Sequence, residues 1–95
     1  MSTPTWWDHA ACRGADRSWF YGKARPQARR LCRSCPVQDI CLWSAMLIEH
    51  DAGYRYGLWG GCSPAQRTRI AAAISPQHAR DRLAAALARH AENRQ

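Results

Sequence analysis

The sequence has no long apolar run, and stretches such as residues 42–48 are far too short to cross a bilayer. Residues 1–8 also lack the basic segment and the apolar segment of a secretory signal peptide. We therefore expect the protein to be cytoplasmic. In that reducing compartment, clustered cysteines bind metals or take part in redox chemistry more often than they form structural disulfides.

Lysine is almost absent, because thirteen of the fourteen basic residues are arginine. Residues 1–62 carry eight basic and five acidic groups (+3), and the shorter segment 63–95 carries six and two (+4). Arginine-rich charge of this kind suits phosphate groups or an acidic protein surface. We interpret 63–95 as a basic helical C-terminal segment and 1–62 as the domain that holds most of the chemistry.

The chain also lacks the apolar–polar alternation of half-buried strands, and it has no internal repeat. Its pattern predicts an all-α fold, a small bundle of about four to five short helices. Ser63 and Gln66 fit a capping box with Pro64 at the first helical position. Helices are predicted over residues 26–32, from Pro36 to near His50, from Ser63-Pro64 onwards, and over residues 77–91.

Two helical faces are predicted to be apolar. The helix after Pro36 should bury the face formed by Val37, Ile40, Cys41, Ser44, Leu47 and Ile48. The last helix should bury a narrow stripe of Ala79, Leu83, Leu87 and Ala91.

Cysteine, by contrast, is plentiful, with five in 95 residues. Four of them follow the spacing Cys-x19-Cys-x2-Cys-x5-Cys, and Cys62 stands beyond a glycine-rich turn. An iron–sulfur cluster needs about four thiolates from different directions, and this uneven spacing suits it. The four cysteines are Cys12, Cys32, Cys35 and Cys41.

Two other uses of these cysteines stay open. Structural zinc sites usually have two close pairs of ligands, and only Cys32 and Cys35 form one here, although His9 with Cys12 could form another. A thioredoxin-like CxxC motif is expected in a βαβ context, which the pattern lacks. The spacing therefore favours an iron–sulfur cluster over zinc, and zinc over redox or disulfide use.

The order of the motifs is more specific than the spacing alone. Ala11-Cys12-Arg13-Gly14 is followed by Cys32-Arg33-Ser34-Cys35-Pro36-Val37, by Cys41-Leu42, and by Gly57-Leu58-Trp59-Gly60-Gly61. Over about residues 6–70 this order resembles the WhiB-like (Wbl) family of transcription regulators. Leu58 stands where valine or isoleucine is usual in that family, and Cys62 is outside the family's ligand set.

The resemblance implies a small helical protein wrapped around a 4Fe–4S cluster, with Cys12, Cys32, Cys35 and Cys41 as ligands. It implies docking on the C-terminal domain of the housekeeping sigma factor, and a cluster that responds to redox change, oxygen or nitric oxide. The turn at residues 57–61 would belong to the sigma-binding surface. We expect a regulator, monomeric before it binds its partner, and not an enzyme.

Aromatic side chains are more numerous than so small a core can easily hide. Trp59, held between glycines, is expected either as a core residue or as an exposed interface anchor. Trp19 and Phe20, in a predicted loop, extend the possible partner surface. The predicted partner-binding residues are Gly57, Leu58, Trp59, Gly60, Gly61, Trp19 and Phe20.

The arginines of the C-terminal segment could contact DNA phosphates without reading sequence, or could simply form a solvated helix face. They are Arg67, Arg69, Arg80, Arg82, Arg89 and Arg94. Arginines beside the cysteines suit the negative charge of thiolates, or are ordinary surface charge. They are Arg13, Arg29, Arg30 and Arg33. The competing functions are a disulfide reductase that uses Cys32 and Cys35 and a zinc-stapled nucleic-acid-binding module.

Overall fold

Helices dominate the computed structural model, which describes residues 10–12, 14–15, 17–21 and 26–93. A short 3-10 helix at Arg17–Trp19 precedes four α-helices: α1 (Pro26–Arg33), α2 (Gln38–Ala52), α3 (Pro64–Ala73) and α4 (Pro76–Asn93). Within those residues the only β-type pairing is an isolated bridge between Trp59 and Cys62. The predicted all-helical class is thus confirmed.

Local sequence signals explain the helix ends. Ser63 accepts a hydrogen bond from the backbone N–H of Gln66, and the Gln66 side chain accepts one from the N–H of Ser63, so the predicted capping box is confirmed. Helix α2 ends at Gly53, whose φ of 80° places it in the left-handed region that favours glycine. This end lies slightly beyond the predicted one near His50.

Two small apolar clusters lie in the core of the described residues. One joins Ala28 and Cys32 of α1 to Leu58, and the half-buried Trp19 and Phe20 pack against it. The other joins Val37, Ile40 of α2 and Ala86 of α4, and it is flanked by Ala10, Cys35 and Leu83. Because α4 packs along α2, the segment 63–95 shares its core with the segment 1–62. The boundary at residue 62 stays an interpretation of the sequence.

The predicted faces of two helices need correction. In α4, Leu87 is 41% exposed, whereas Ala86 is 4% exposed. A stripe spaced strictly by four residues drifts about 40° per step around a helix, so Ala79 and Ala86, seven residues apart, share a face better than Ala79 and Leu87. In α2, Ile48 is 62% exposed, because the buried face there turns towards Ala45 and Glu49.

Within the described residues, no helix combines the length and the apolar character needed to cross a membrane.

The corrected face of α4 predicts a contrast between two aspartate substitutions. Ala86→Asp would bury an unpaired carboxylate against Val37 and Ile40, and should lower the free energy of unfolding by about 3 kcal/mol. Ala84→Asp, on the exposed side of the same helix, should cost less than about 1 kcal/mol, mainly through lower helix propensity. Urea unfolding followed by circular dichroism measures both, and equal losses would contradict the packing of α4 on α2.

Candidate functional site

Three of the four spaced cysteines lie where α1 meets α2. Cys32 is in the last turn of α1, Cys35 is in the link between the helices, and Cys41 is near the start of α2. The link is a tight turn, since the N–H of Cys35 donates to the carbonyl of Cys32 at 3.2 Å. The N-terminal segment reaches this place as well, because the N–H of Ala11, next to Cys12, donates to the Sγ of Cys35 at 3.4 Å.

The electrostatics of the four thiols show that they lie in one region. Burial is the main cause that raises the pKa of Cys41 to about 12, and the charges of Cys32, Cys12 and Cys35 contribute to the same rise. Burial is also the main reason that the pKa values of Cys12 and Cys32 are raised. Four thiolates in such a place need a positive centre to offset both burial and mutual repulsion, and metal coordination supplies one.

The donor set fits a cluster by its chemistry. Among the residues that the structure describes, no three histidine, cysteine or acidic side chains lie close enough together to hold one metal ion. In an iron–sulfur cluster each thiolate binds a different iron, so separated sulfurs around one region fit it. His9, the possible partner of Cys12 in a zinc site, lies outside the described residues.

The predicted turn, residues 57–61, is held in a closed shape by its own backbone. Trp59 and Cys62 exchange two hydrogen bonds, with N···O distances of 2.9 and 3.1 Å. Leu58 donates its N–H to the carbonyl of Phe20 at 2.6 Å. Gly60 has a φ of 57°, and a Cβ there would lie 2.5 Å from the Cβ of Leu42. Glycine is therefore required where the turn touches α2.

This glycine turn lies against the cysteines. The Gly60 backbone lowers the pKa of the Cys41 thiol and the Gly61 backbone lowers that of the Cys32 thiol, in opposition to burial. A Cβ on Gly61 would come within 3.5 Å of the Cβ of Cys32. The sequence predicted the turn as part of a partner surface, and the structure adds that it borders the cysteine site.

Arg67 of α3 holds the two ends of the glycine turn. Its side chain is 0% exposed. Its Nε and Nη2 donate to the carboxylate of Glu49 at 2.9 and 2.7 Å. Its Nη1 donates to the carbonyls of Gly57 and Cys62 at 2.8 and 2.6 Å, and Nη2 also reaches the carbonyl of Tyr56 at 3.2 Å. The guanidinium group thus uses all of its five N–H donors inside the protein.

The prediction that Arg67 contacts DNA is therefore wrong, because its side chain is buried and its donors are already used. The sequence reasoning missed both Arg67 and Glu49 as structural residues. The signal comes only with the structure: Glu49 follows Ala45 by four residues, on a side of α2 that the structure buries and the sequence pattern did not predict. An acidic group at such a position indicates a buried basic partner elsewhere in the chain.

Trp59 borders a groove of about 250 Å³ on the surface of α2. Its Nε1–H donates to the carbonyl of Tyr56 at 3.2 Å, which fixes the indole ring while leaving it half-exposed. Tyr56 in turn stacks on Tyr21, with 5.1 Å between the ring centroids. Tyr54 and Ile48, which also line the groove, are 70% and 62% exposed. Exposed apolar and aromatic groups of this density are typical of a protein-binding surface.

The other predicted partner-binding residues are buried or half-buried. Gly57, Leu58 and Gly60 are buried, so their assignment as contact residues is corrected: they shape the turn that presents Trp59. Gly61 is half-buried. Trp19 and Phe20 are half-buried too, and they pack against the cluster of Ala28, Cys32 and Leu58 rather than lining the groove.

The remaining basic side chains predicted to contact DNA are exposed, as expected: Arg69, Arg80, Arg82 and Arg89. The Arg82 guanidinium lies 5.7 Å from the centre of the Trp43 ring, and Arg89 pairs with Asp39 at 3.3 Å. Arg94 and Arg13 lie outside the described residues.

The three arginines of α1 differ in exposure, and Arg29 is the half-buried one. Arg30 and Arg33 are exposed. Arg29 acts on Cys62: burial raises the pKa of that thiol, while Arg67 and Arg29 lower it. Because Cys62 lies outside the proposed ligand set, the expectation that arginines offset the charge of the ligand cysteines stays a prediction.

The structure is that of a short helical chain in which three of the four spaced cysteines lie at the junction of α1 and α2. Comparison with known families identifies the class further, because a family model described as "Transcription factor WhiB" matches residues 6–70. The match spans more than half of the chain, and the protein belongs to the WhiB family.

Several curated relatives are similar to this chain. "Transcriptional regulator WhiB2" of Mycolicibacterium smegmatis is 37% identical over 68 residues, which cover 68% of this chain and 50% of that protein. "Redox-responsive transcriptional regulator WhiB3" of the same organism is 39% identical over 72 residues, covering 65% of this chain and 71% of the relative. "Redox- and pH-responsive transcriptional regulator WhiB3" of Mycobacterium tuberculosis is 38% identical over 72 residues, covering 65% and 67%. The chain thus spans about half the length of the WhiB2 relative.

The buried ion pair gives a prediction about stability. Arg67→Ala would leave the buried Glu49 carboxylate with the longer 3.6 Å contact to Arg55 and three carbonyls without their donor, so it should cost about 3 kcal/mol. Arg69→Ala, on the exposed side of the same helix, should change stability by less than about 0.5 kcal/mol. Urea midpoints of the two variants measure the difference, and an Arg67→Ala protein as stable as the wild type would refute the network.

Proposed function

We propose that Cys12, Cys32, Cys35 and Cys41 hold a 4Fe–4S cluster, around which the helices wrap. The observation that carries this proposal is the placement of Cys32, Cys35 and Cys41 at the junction of α1 and α2, where the N–H of Ala11, next to Cys12, donates to the Cys35 Sγ at 3.4 Å. Buried thiols with raised pKa values, and cysteine as the whole donor set, support a metal cluster as the positive centre.

The protein then acts as a redox- or nitric-oxide-responsive transcription regulator. When bound, the cluster supplies an iron centre that redox change, oxygen or nitric oxide can alter. The WhiB family membership supports the regulatory role, and the relatives described as redox-responsive support the response. We propose that this is a cytoplasmic, non-enzymatic protein, monomeric until it binds its partner.

The partner in this proposal is the C-terminal domain of the housekeeping sigma factor, docked at Trp59 and the groove beside it. The groove offers a half-exposed indole whose N–H bond to Tyr56 fixes its orientation, next to a stacked tyrosine pair. Rigid aromatic side chains that lose their contact with water on binding contribute most of the binding energy in many interfaces. They also lose little conformational entropy when they bind.

Contact with DNA phosphates is assigned to the exposed arginines Arg69, Arg80, Arg82 and Arg89. Arg69 is on α3 and the other three are on α4, so the contact would come from the basic C-terminal segment. Phosphate contacts of this kind weaken with salt and carry no base specificity.

The alternative of a disulfide reductase has less support. A nucleophilic cysteine usually has a lowered pKa, whereas burial raises the pKa of Cys32.

Serine substitutions test the ligand assignment. Cys41→Ser, like the same change at Cys12, Cys32 or Cys35, should remove or destabilise the cluster and reduce helix content, because metal binding and folding are coupled. Cys62→Ser should keep the cluster, since this thiol lies outside the proposed ligand set. Anaerobic purification followed by iron and sulfide analysis and visible absorption measures both. A brown, folded Cys41→Ser protein beside a colourless Cys62→Ser protein would overturn the assignment.

The docking site has its own test. Trp59→Ala should abolish binding to the sigma C-terminal domain while the visible spectrum of the cluster survives, because truncation of an aromatic anchor costs about 2–4 kcal/mol, or about thirtyfold or more in affinity. Trp43→Ala is the matched control, since Trp43 lies on α2 beneath Arg82 and does not line the groove. Co-purification with the sigma domain, read beside the spectrum, is the measurement.

The two failures of this test mean different things. Loss of the spectrum and the helix content in Trp59→Ala would make Trp59 a core residue. Normal sigma binding by a brown Trp59→Ala protein would move the docking surface elsewhere.

A further inference from the structure

Gln38, the first residue of α2, joins two parts of the cysteine site. Its backbone N–H donates to the carbonyl of Cys35 at 3.3 Å, within the link between α1 and α2. Its side-chain Nε2 donates to the carbonyl of Gly60 at 3.2 Å, in the middle of the glycine turn. One residue therefore spans the distance between the CxxC link and the turn.

The contact is close enough to fix the position of the turn. A Cβ on Gly61 would lie 2.8 Å from the Gln38 Nε2, so the amide of Gln38 leaves no space above that glycine. Arg67 holds the ends of the turn at Tyr56, Gly57 and Cys62. Gln38 is the side chain that binds its middle, next to the glycines whose backbones face Cys41 and Cys32.

We propose that Gln38 is a positioning residue that couples the cysteine site to the docking surface by holding the glycine turn against α2. The backbones of Gly60 and Gly61, which lower the pKa values of Cys41 and Cys32, stay close to those thiols only while the turn keeps this position. Trp59 lies between the end of the turn that Arg67 holds and the middle that Gln38 holds. These contacts therefore also keep Trp59 at the groove. This inference rests on the proposed function for the identity of the cluster and of the partner.

The physical consequence concerns both the cluster and the partner. Hydrogen bonds to ligand sulfurs stabilise the more negative, reduced form of an iron–sulfur cluster and so raise its reduction potential. Release of the turn should therefore shift that potential to a more negative value. The same release should weaken docking, because Trp59 would have to be ordered again on binding.

The test compares Gln38→Leu with the wild type, both loaded with the cluster. Leucine is close to glutamine in size but has no N–H to donate. The potential should become more negative, and affinity for the sigma C-terminal domain should fall by about three- to tenfold, the usual effect of one lost hydrogen bond. Asp39→Asn is the matched control, because Asp39 is the next residue, has an exposed side chain and pairs with Arg89 at the surface. It should change neither quantity.

Gln38→Glu is the second variant. It keeps the shape of the side chain but replaces the N–H donor that faces the Gly60 carbonyl with an oxygen acceptor. At neutral pH its carboxylate repels the Gly60 carbonyl, so it should behave like Gln38→Leu. When acid protonates it, the carboxyl can donate again, so the difference from the wild type at the same pH should shrink. A side chain that merely fills space would show no such recovery.

The outcomes separate this inference from the proposed function. A folded, cluster-bearing Gln38→Leu protein with an unchanged potential or unchanged sigma affinity would overturn the role of Gln38. Loss of helix content in both variants would also overturn it, because Gln38 would then be part of the core. If the wild-type protein itself does not bind the sigma domain, the proposed partner is wrong. The potential then still tests the contact between Gln38 and the turn.

Discussion

A single buried guanidinium group determines how the second half of this protein is arranged. Arg67 of α3 uses all five of its N–H donors on the Glu49 carboxylate of α2 and on three carbonyls of residues 56–62. A buried charge is tolerated only with such complete pairing. Among the described residues, the two apolar clusters hold three buried residues each. This polar network therefore fixes α3, the turn and α2 relative to one another.

The glycine turn is the place where the cysteine site and the candidate docking surface meet. On one side, Gly60 and Gly61 lie against Leu42, Gln38 and the Cys32 side chain so closely that no Cβ would fit without a shift. On the other side, Trp59 borders an aromatic groove. Five residues can serve both sites because glycine gives the backbone positive φ angles and close approach. A change at the cysteines can therefore reach the groove through one short segment.

Local signals in the sequence were sufficient for much of the fold. Pro26 and the Ser63-Pro64 capping box predict helix starts that the structure has, because capping depends on neighbours in the chain. The buried faces of α2 and α4 could not be predicted as reliably from the sequence. Which of Leu87 and Ala86 is buried depends on the partner helix, and the exposure of Ile48 follows from the pairing of Glu49 with Arg67. The spacing of the cysteines indicated a shared site, but not that Gln38 and the turn border it.

Iron and sulfide analysis of protein purified without oxygen tests the central claim most directly, that four cysteines beside the glycine turn hold an iron–sulfur cluster. The account predicts a brown protein with about four irons and four sulfides per chain. A colourless, folded protein with one zinc ion and no sulfide would contradict it.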